Sequence, residues 1–160
     1  MFAVRYWANR FFGARYWPPI GAAPAIIAEC YWVGNGSKTS WNYIGNWNTV
    51  AGGSYPGNSS VLPSITRPAI FAGDGNGDCI LDVGDVECLR LSVEAGYSGN
   101  FDGGIYNVNI RTDVSLASTG MWDMGSGTWT CLGSWDHSGQ ASFVRGTAAV
   151  NMTGTSKTLT

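Results

Sequence analysis

A chain of 160 residues with 23 Gly, 8 Trp, 7 Tyr and 6 Phe but only 12% charged residues has room for one ordinary domain and a tail. So much aromatic surface at a net charge of −2 excludes an intrinsically disordered chain, which needs few aromatics and strong self-repulsion. The charge is uneven: Arg5, Arg10 and Arg15 outweigh Glu29 near the start, while residues 31–160 are net acidic, and three arginines fall short of the broad basic surface that nucleic acid requires.

In chain order, residues 1–20 stand apart. They contain Arg5-Tyr6-Trp7, Arg10-Phe11-Phe12 and Arg15-Tyr16-Trp17, Arg-aromatic-aromatic units that recur every five residues. That step matches neither the 3.6 residues of a helical turn nor the 2 of a strand. Wound as a helix, the aromatics would face every side and need burial all round. Gly13 and the Pro18-Pro19 pair also discourage a long helix. The pattern predicts an extended docking arm whose units each fill a separate pocket on another protein, since Arg, Tyr and Trp dominate interface hot spots. Arg and Gly interrupt any continuous apolar run of the kind a secretory signal needs. Residues 21–28 are apolar but too short to span a bilayer. Neither a membrane nor a nucleic-acid partner is expected.

Residues 21–30 read as a small-residue linker, and 31–160 as a β-rich domain. Gly52-Gly53, Pro56-Gly57, Pro63 and Pro68 mark 51–68 as loop. From about residue 69, alternating runs predict short strands at 79–83, 89–93, 106–110, 114–116, 129–132 and 148–152, with Gly, Asn or Asp between most of them. The expected class is all-β: an extended N-terminal arm followed by a β-solenoid-like or β-sandwich domain. Residues 127–130 and 133–136, each a Gly-x-Trp stretch, look like successive rungs. A solenoid needs a cap at each end, and residues 154–160 read as strand without one, which implies a continuing chain or a covering subunit.

The best local motif is the run from Asp74 to Asp85. Asp74, Asn76, Asp78, Asp82 and Asp85 fall at positions 1, 3, 5, 9 and 12 of an EF-hand-type calcium loop, in a spacing that resembles the dockerin version. Position six, where a sharp turn wants Gly, holds Cys79, and 86–93 reads as strand where an exiting helix belongs. An acidic turn between strands is therefore the preferred reading, with calcium as the alternative and no other cofactor expected. Cys30, Cys79, Cys88 and Cys131 form no CxxC pair, so zinc is not expected and free buried thiols are.

Carboxylate chemistry finds no pair. Asp102, Asp113, Asp123 and Asp136 are scattered among turn residues, and Asp136-His137-Ser138 reads as a turn because triad members must converge from separate positions. No catalytic residue is assigned, and an enzyme is not expected. Trp41, Trp47, Trp122, Trp129 and Trp135 offer an alternative role as a platform for a host-surface glycan, set against the plainer reading of core residues.

The run from Arg5 to Pro18 resembles an N-terminal motif of tailed-phage structural proteins, in which Arg-aromatic-aromatic units recur before a Pro. Tyr31-Trp32-Val33-Gly34, Asn46-Trp47 and residues 125–139 are similar to Gly/Thr/Trp-rich repeats of long phage and bacterial surface proteins. The resemblance implies a virion component, assembled in the host cytoplasm: a fibre, spike or capsid decoration. It would be anchored to other virion proteins by its N-terminus and built as a homotrimer. The resemblance carries no catalytic residue onto this chain.

Overall fold

Three-residue strands whose outer members point inward recur along the sequence, several of them ended by a corner that holds Gly, Asn or Asp. The computed structural model describes residues 28–35, 38–73, 76–155 and 158–160. In it these strands wind into a β-solenoid of about four turns, and no α-helix occurs among the described residues. The arm 1–20 and all but the end of the linker lie outside them.

Each turn supplies one short strand to each of three faces. The first turn comprises β3 (Ala69–Phe71), β4 (Cys79–Ile80) and β5 (Val86–Cys88), and the second β6 (Leu91–Val93), β7 (Phe101–Asp102) and β8 (Val108–Ile110). The third comprises β9 (Val114–Leu116), β10 (Met121–Asp123) and β11 (Thr128–Cys131), and the fourth β12 (Trp135–Asp136), β13 (Ser142–Val144) and β14 (Ala149–Met152). Every strand pairs in parallel with its counterpart one turn away. Parallel neighbours need a crossover of a dozen residues or more, and here the other two faces provide it. Ala69, Leu91, Val114 and Trp135 thus share one column, a repeat of about 22 residues.

That repeat corrects one expectation. The stretches at 127–130 and 133–136 are not stacked on each other, because they lie on different faces of the rod. Trp129 pairs with Val108 and Val150, and Trp135 with Val114. Likewise 86–93 is two strands rather than one, broken by the corner at Leu89 and Arg90.

Corners set close steric limits. Gly104, Gly125 and Gly146 all have positive φ. A Cβ on Gly125 would come within 2.0 Å of the Gly104 carbonyl oxygen, and one on Gly146 within 2.2 Å of that of Gly125. Only glycine supplies both the left-handed backbone and the close approach. At several corners an Asp or Asn side chain reaches the next turn. Asp78 Oδ1 accepts from the Asn100 N–H (2.8 Å), and Asn100 Oδ1 from the Met121 N–H (2.9 Å). Asp85 Oδ1 accepts from the Asn107 N–H and Asn107 Oδ1 from the Thr128 N–H, both at 2.8 Å.

The interior is aromatic. Phe101 and Trp122 stack face to face with centroids 4.0 Å apart, while Phe71 meets Trp32, Trp41, Trp47, Tyr97, Phe101 and Trp122 at mostly tilted or edge-on angles. All four cysteines are buried. Burial pushes the Cys88 thiol up to about 12 and that of Cys79 well above its ordinary value, which keeps both protonated and unreactive.

The N-terminal end is closed by a separate cap. Here β1 (Cys30–Trp32) pairs in parallel with β3 and antiparallel with β2 (Trp47–Asn48), after a short 3-10 turn at Ile44–Asn46. Trp32, Trp41 and Trp47 plug the open end of the interior. Two of the indoles are tied by their polar edges: Trp32 Nε1 donates to the Gly77 carbonyl (2.9 Å), and Trp47 Nε1 to that of Trp41 (2.8 Å). Cys30, placed at the end of the expected linker, already belongs to β1. Glu29 just before it pairs with Arg90 at 2.9 Å.

Candidate binding surfaces

The expected docking residues Arg5, Tyr6, Trp7, Arg10, Phe11, Phe12, Arg15, Tyr16 and Trp17 lie outside the described residues. The described chain begins at Ala28 and enters at the capped end of the rod.

The tryptophans proposed as a glycan platform are core. Trp41, Trp47, Trp122, Trp129 and Trp135 are all buried, with exposures of 2% or less. Phe101 covers one face of Trp122, and Trp129 packs between Trp122 and Trp135. A sugar ring has no exposed indole face to stack on here. The reason is periodic: strand positions that alternate with polar residues point into the rod, and indoles are large enough to fill it.

The described part of the run from Asp74 to Asp85, residues 76–85, holds one strand, β4, with a corner on either side. Asp74 itself is outside the described residues. Asn76 Oδ1 accepts from Ser98 Oγ (3.1 Å), and Asp82 Oδ1 from Ser40 Oγ (2.6 Å). Asp78 and Asp85 serve the next turn, as described. Between them Cys79 and Leu81 point into the core, and β5 occupies the place of an exiting helix. The oxygens therefore face different neighbours. Among the described residues, no group of three or more His, Cys, Asp or Glu side chains is placed to hold a metal ion.

Asp136-His137-Ser138 is a turn, as the sequence suggested. Asp136 Oδ1 accepts from both the Ser138 N–H (2.9 Å) and its hydroxyl (2.7 Å), and those bonds hold its carboxyl below the usual carboxylate range. The imidazole of His137 lies against Phe143, with centroids 4.6 Å apart. Asp102 and Asp123 each bond the N–H two residues on, at Gly104 and Gly125. Asp113 Oδ1 accepts from the Ser134 N–H at 2.7 Å. Turn formation and rung-to-rung bonding thus occupy the acidic groups that sequence reasoning had screened for chemistry.

Two further features stand out, of which only the first was not anticipated. One is a cavity of about 370 Å³ where the cap meets the first solenoid corner, lined by residues 33–35, 53–55, 76 and 77. The other is the far end of the rod. There β13 and β14 are the outermost strands of their faces, and Phe143, Val150 and Met152 are only partly covered. Val144 is exposed, and so is Leu159, which starts a further parallel bridge with Trp135. Sequence signals existed for the second feature, in the uncapped strand at 154–160. For the cavity there was none, since its walls come from three segments far apart in the sequence.

Among the described residues, no helix is long and apolar enough to cross a membrane. Compared with protein-family models, with curated proteins and with solved structures, the chain matches none. Its class is therefore defined by its fold: a short, aromatic-cored β-solenoid with one tryptophan-plugged end.

Proposed function

We propose that this chain is a structural component of a tailed-phage particle, a short rod anchored to other virion proteins through residues 1–20. It would serve as a fibre or as a capsid or tail accessory protein, assembled in the host cytoplasm and grouped in threes around a common axis. The observation that carries this reading is directional. The chain enters at the capped end and climbs turn by turn away from it, so an arm preceding Ala28 is tethered at one end and the last turn stands at the other. A rod with a tether at one end suits projection from a surface. The fold also suits a non-catalytic role, because its acidic side chains hold turns and join rungs.

Deleting residues 1–20 tests the reading. Purified particles should lose the protein while the truncated chain keeps its far-ultraviolet circular dichroism spectrum and melting temperature. Truncated protein that still enters particles at the normal copy number would overturn it.

A further inference from the structure

The cavity between the cap and the solenoid has the build of a ligand site. Its volume of about 370 Å³ lies at the lower end of the range for small-molecule sites, roughly 300–1,000 Å³. It is also a junction between two structural units, where such sites tend to occur.

Its floor is fixed by hydrogen bonds. The Gly77 N–H donates to the Gly34 carbonyl at 2.8 Å, and the Gly77 carbonyl accepts from both Trp32 Nε1 and the Tyr97 hydroxyl, each at 2.9 Å. No side chain larger than hydrogen fits there. A Cβ on Gly77 would approach the Gly34 oxygen to 2.3 Å, and a Cβ on Gly34 the Trp32 ring to 2.5 Å. The floor is therefore tightly packed and already ordered, and a ligand would bear little of the cost of ordering that part of the site.

The lining chemistry is selective. Asn35 and Asn76 contribute amides, each with donor and acceptor atoms, Ser54 contributes a hydroxyl, and Tyr55 an aromatic ring with a phenol. Among the described lining residues none carries a charge. Asn76 is held by Ser98, which directs one amide atom and fixes the group. Hydroxyl groups donate and accept at once, as these amides do, and the C–H edges of a pyranose carry the slight positive charge that an aromatic face attracts. We infer that this cavity binds a neutral saccharide unit through Tyr55, Asn76 and Ser54.

The inference does not rest on the anchoring role, because Tyr55 lies in the cap loop and not in the arm. The probe is a printed array of neutral oligosaccharides built from hexoses, 6-deoxyhexoses and N-acetylhexosamines, with uronic-acid and sialic-acid glycans as charged comparators. The full-length protein should be retained on one or more neutral glycans. Tyr55→Ala and Asn76→Ala should each weaken that retention at least tenfold, with unchanged melting temperature and unchanged incorporation into particles. Gly77→Ala is the harsher variant, and Asn76→Asp the finer one, since an added charge should lower neutral binding without enlarging the hollow. No retention on the array, retention only on charged glycans, or neutral binding that survives both alanine variants would each overturn the assignment.

Discussion

Trp47 and Phe143 are aromatic residues near opposite ends of one rod, yet Trp47 is sealed and Phe143 only partly covered. At the capped end the indoles of Trp32, Trp41 and Trp47 lie across the opening, and β2 pairs antiparallel to close the sheet. At the far end β14 alternates exposed and half-buried residues, whereas β11 beneath it in the stack alternates half-buried and buried ones. The column Val86, Val108, Trp129 and Val150 makes the point with nearly constant chemistry. Its first three members are buried, and Val150 is only partly so. In a solenoid, burial comes largely from the neighbouring turn, so position along the axis decides what a side chain is worth.

The largest expected effect is at the plug. Trp47→Ala removes a fully buried indole that contacts Trp32, Trp41 and Phe71, and large aromatic truncations of this kind cost about 3–5 kcal/mol. Chemical denaturation should show the midpoint falling accordingly. If the loss were under about 1 kcal/mol, the cap would not be the sealed end that its geometry describes.

A matched pair sharpens the comparison further. Val108→Ala and Val150→Ala make the same chemical change in the same column. Two lost methyl-sized groups at about 0.8 kcal/mol each, plus a residual cavity, put Val108→Ala near 2 kcal/mol. Val150→Ala should cost less than about 1 kcal/mol, because water already reaches that side chain. Equal costs would mean that another surface covers the far end in solution.

How much of this was legible follows from the same periodicities. Alternation in Leu91–Val93, Val108–Ile110 and Val114–Leu116 exposed the inward columns, and it identified an all-β chain with a solenoid among its forms. Two-residue strands such as Trp47–Asn48 and Phe101–Asp102 were hidden, since so short a segment has no period to detect. The spacing of about 22 residues was also hidden, because the corner residues vary: Asp78 aligns with Asn100, and Asp85 with Asn107 and then Thr128. Tryptophan alone could not declare its side, as an indole suits a core column and a sugar platform equally well. The cavity depends on Tyr55 and Asn76 lining one hollow at the cap junction, a placement that no local pattern encodes.

A smaller effect separates bonds between turns from bonds within one. Asp85 has its carboxyl held below the usual range by the Asn107 backbone N–H and then by the Asn107 side chain. A depressed carboxylate stabilises the fold fully above its unfolded value, about 3.9, and that contribution fades as the pH falls through the lower folded value. Asp136, near the far end, is depressed by bonds to Ser138 within its own turn. Melting curves between pH 7 and pH 3 should therefore show an acid-induced drop in Tm. Asp85→Asn should flatten it more than Asp136→Asn, because protonation at Asp85 weakens a joint between turns. A larger flattening from Asp136→Asn would show that the far end, and not the joint beside the cap, governs acid stability.

The smallest expected effect concerns calcium. If Asn76, Asp78, Asp82 and Asp85 act as joints, their oxygens are directed at Ser98, Asn100, Ser40 and Asn107 and do not converge on one point. A calcium ion takes six to eight oxygens at about 2.3–2.6 Å. Gathering them would mean breaking bonds that join the cap and the first two turns. Melting in millimolar EGTA and in millimolar calcium should consequently give the same Tm. A calcium-dependent rise that Asp82→Asn abolishes would reverse this, and would make the capped end a metal-stabilised unit rather than one closed by tryptophan and corner hydrogen bonds alone.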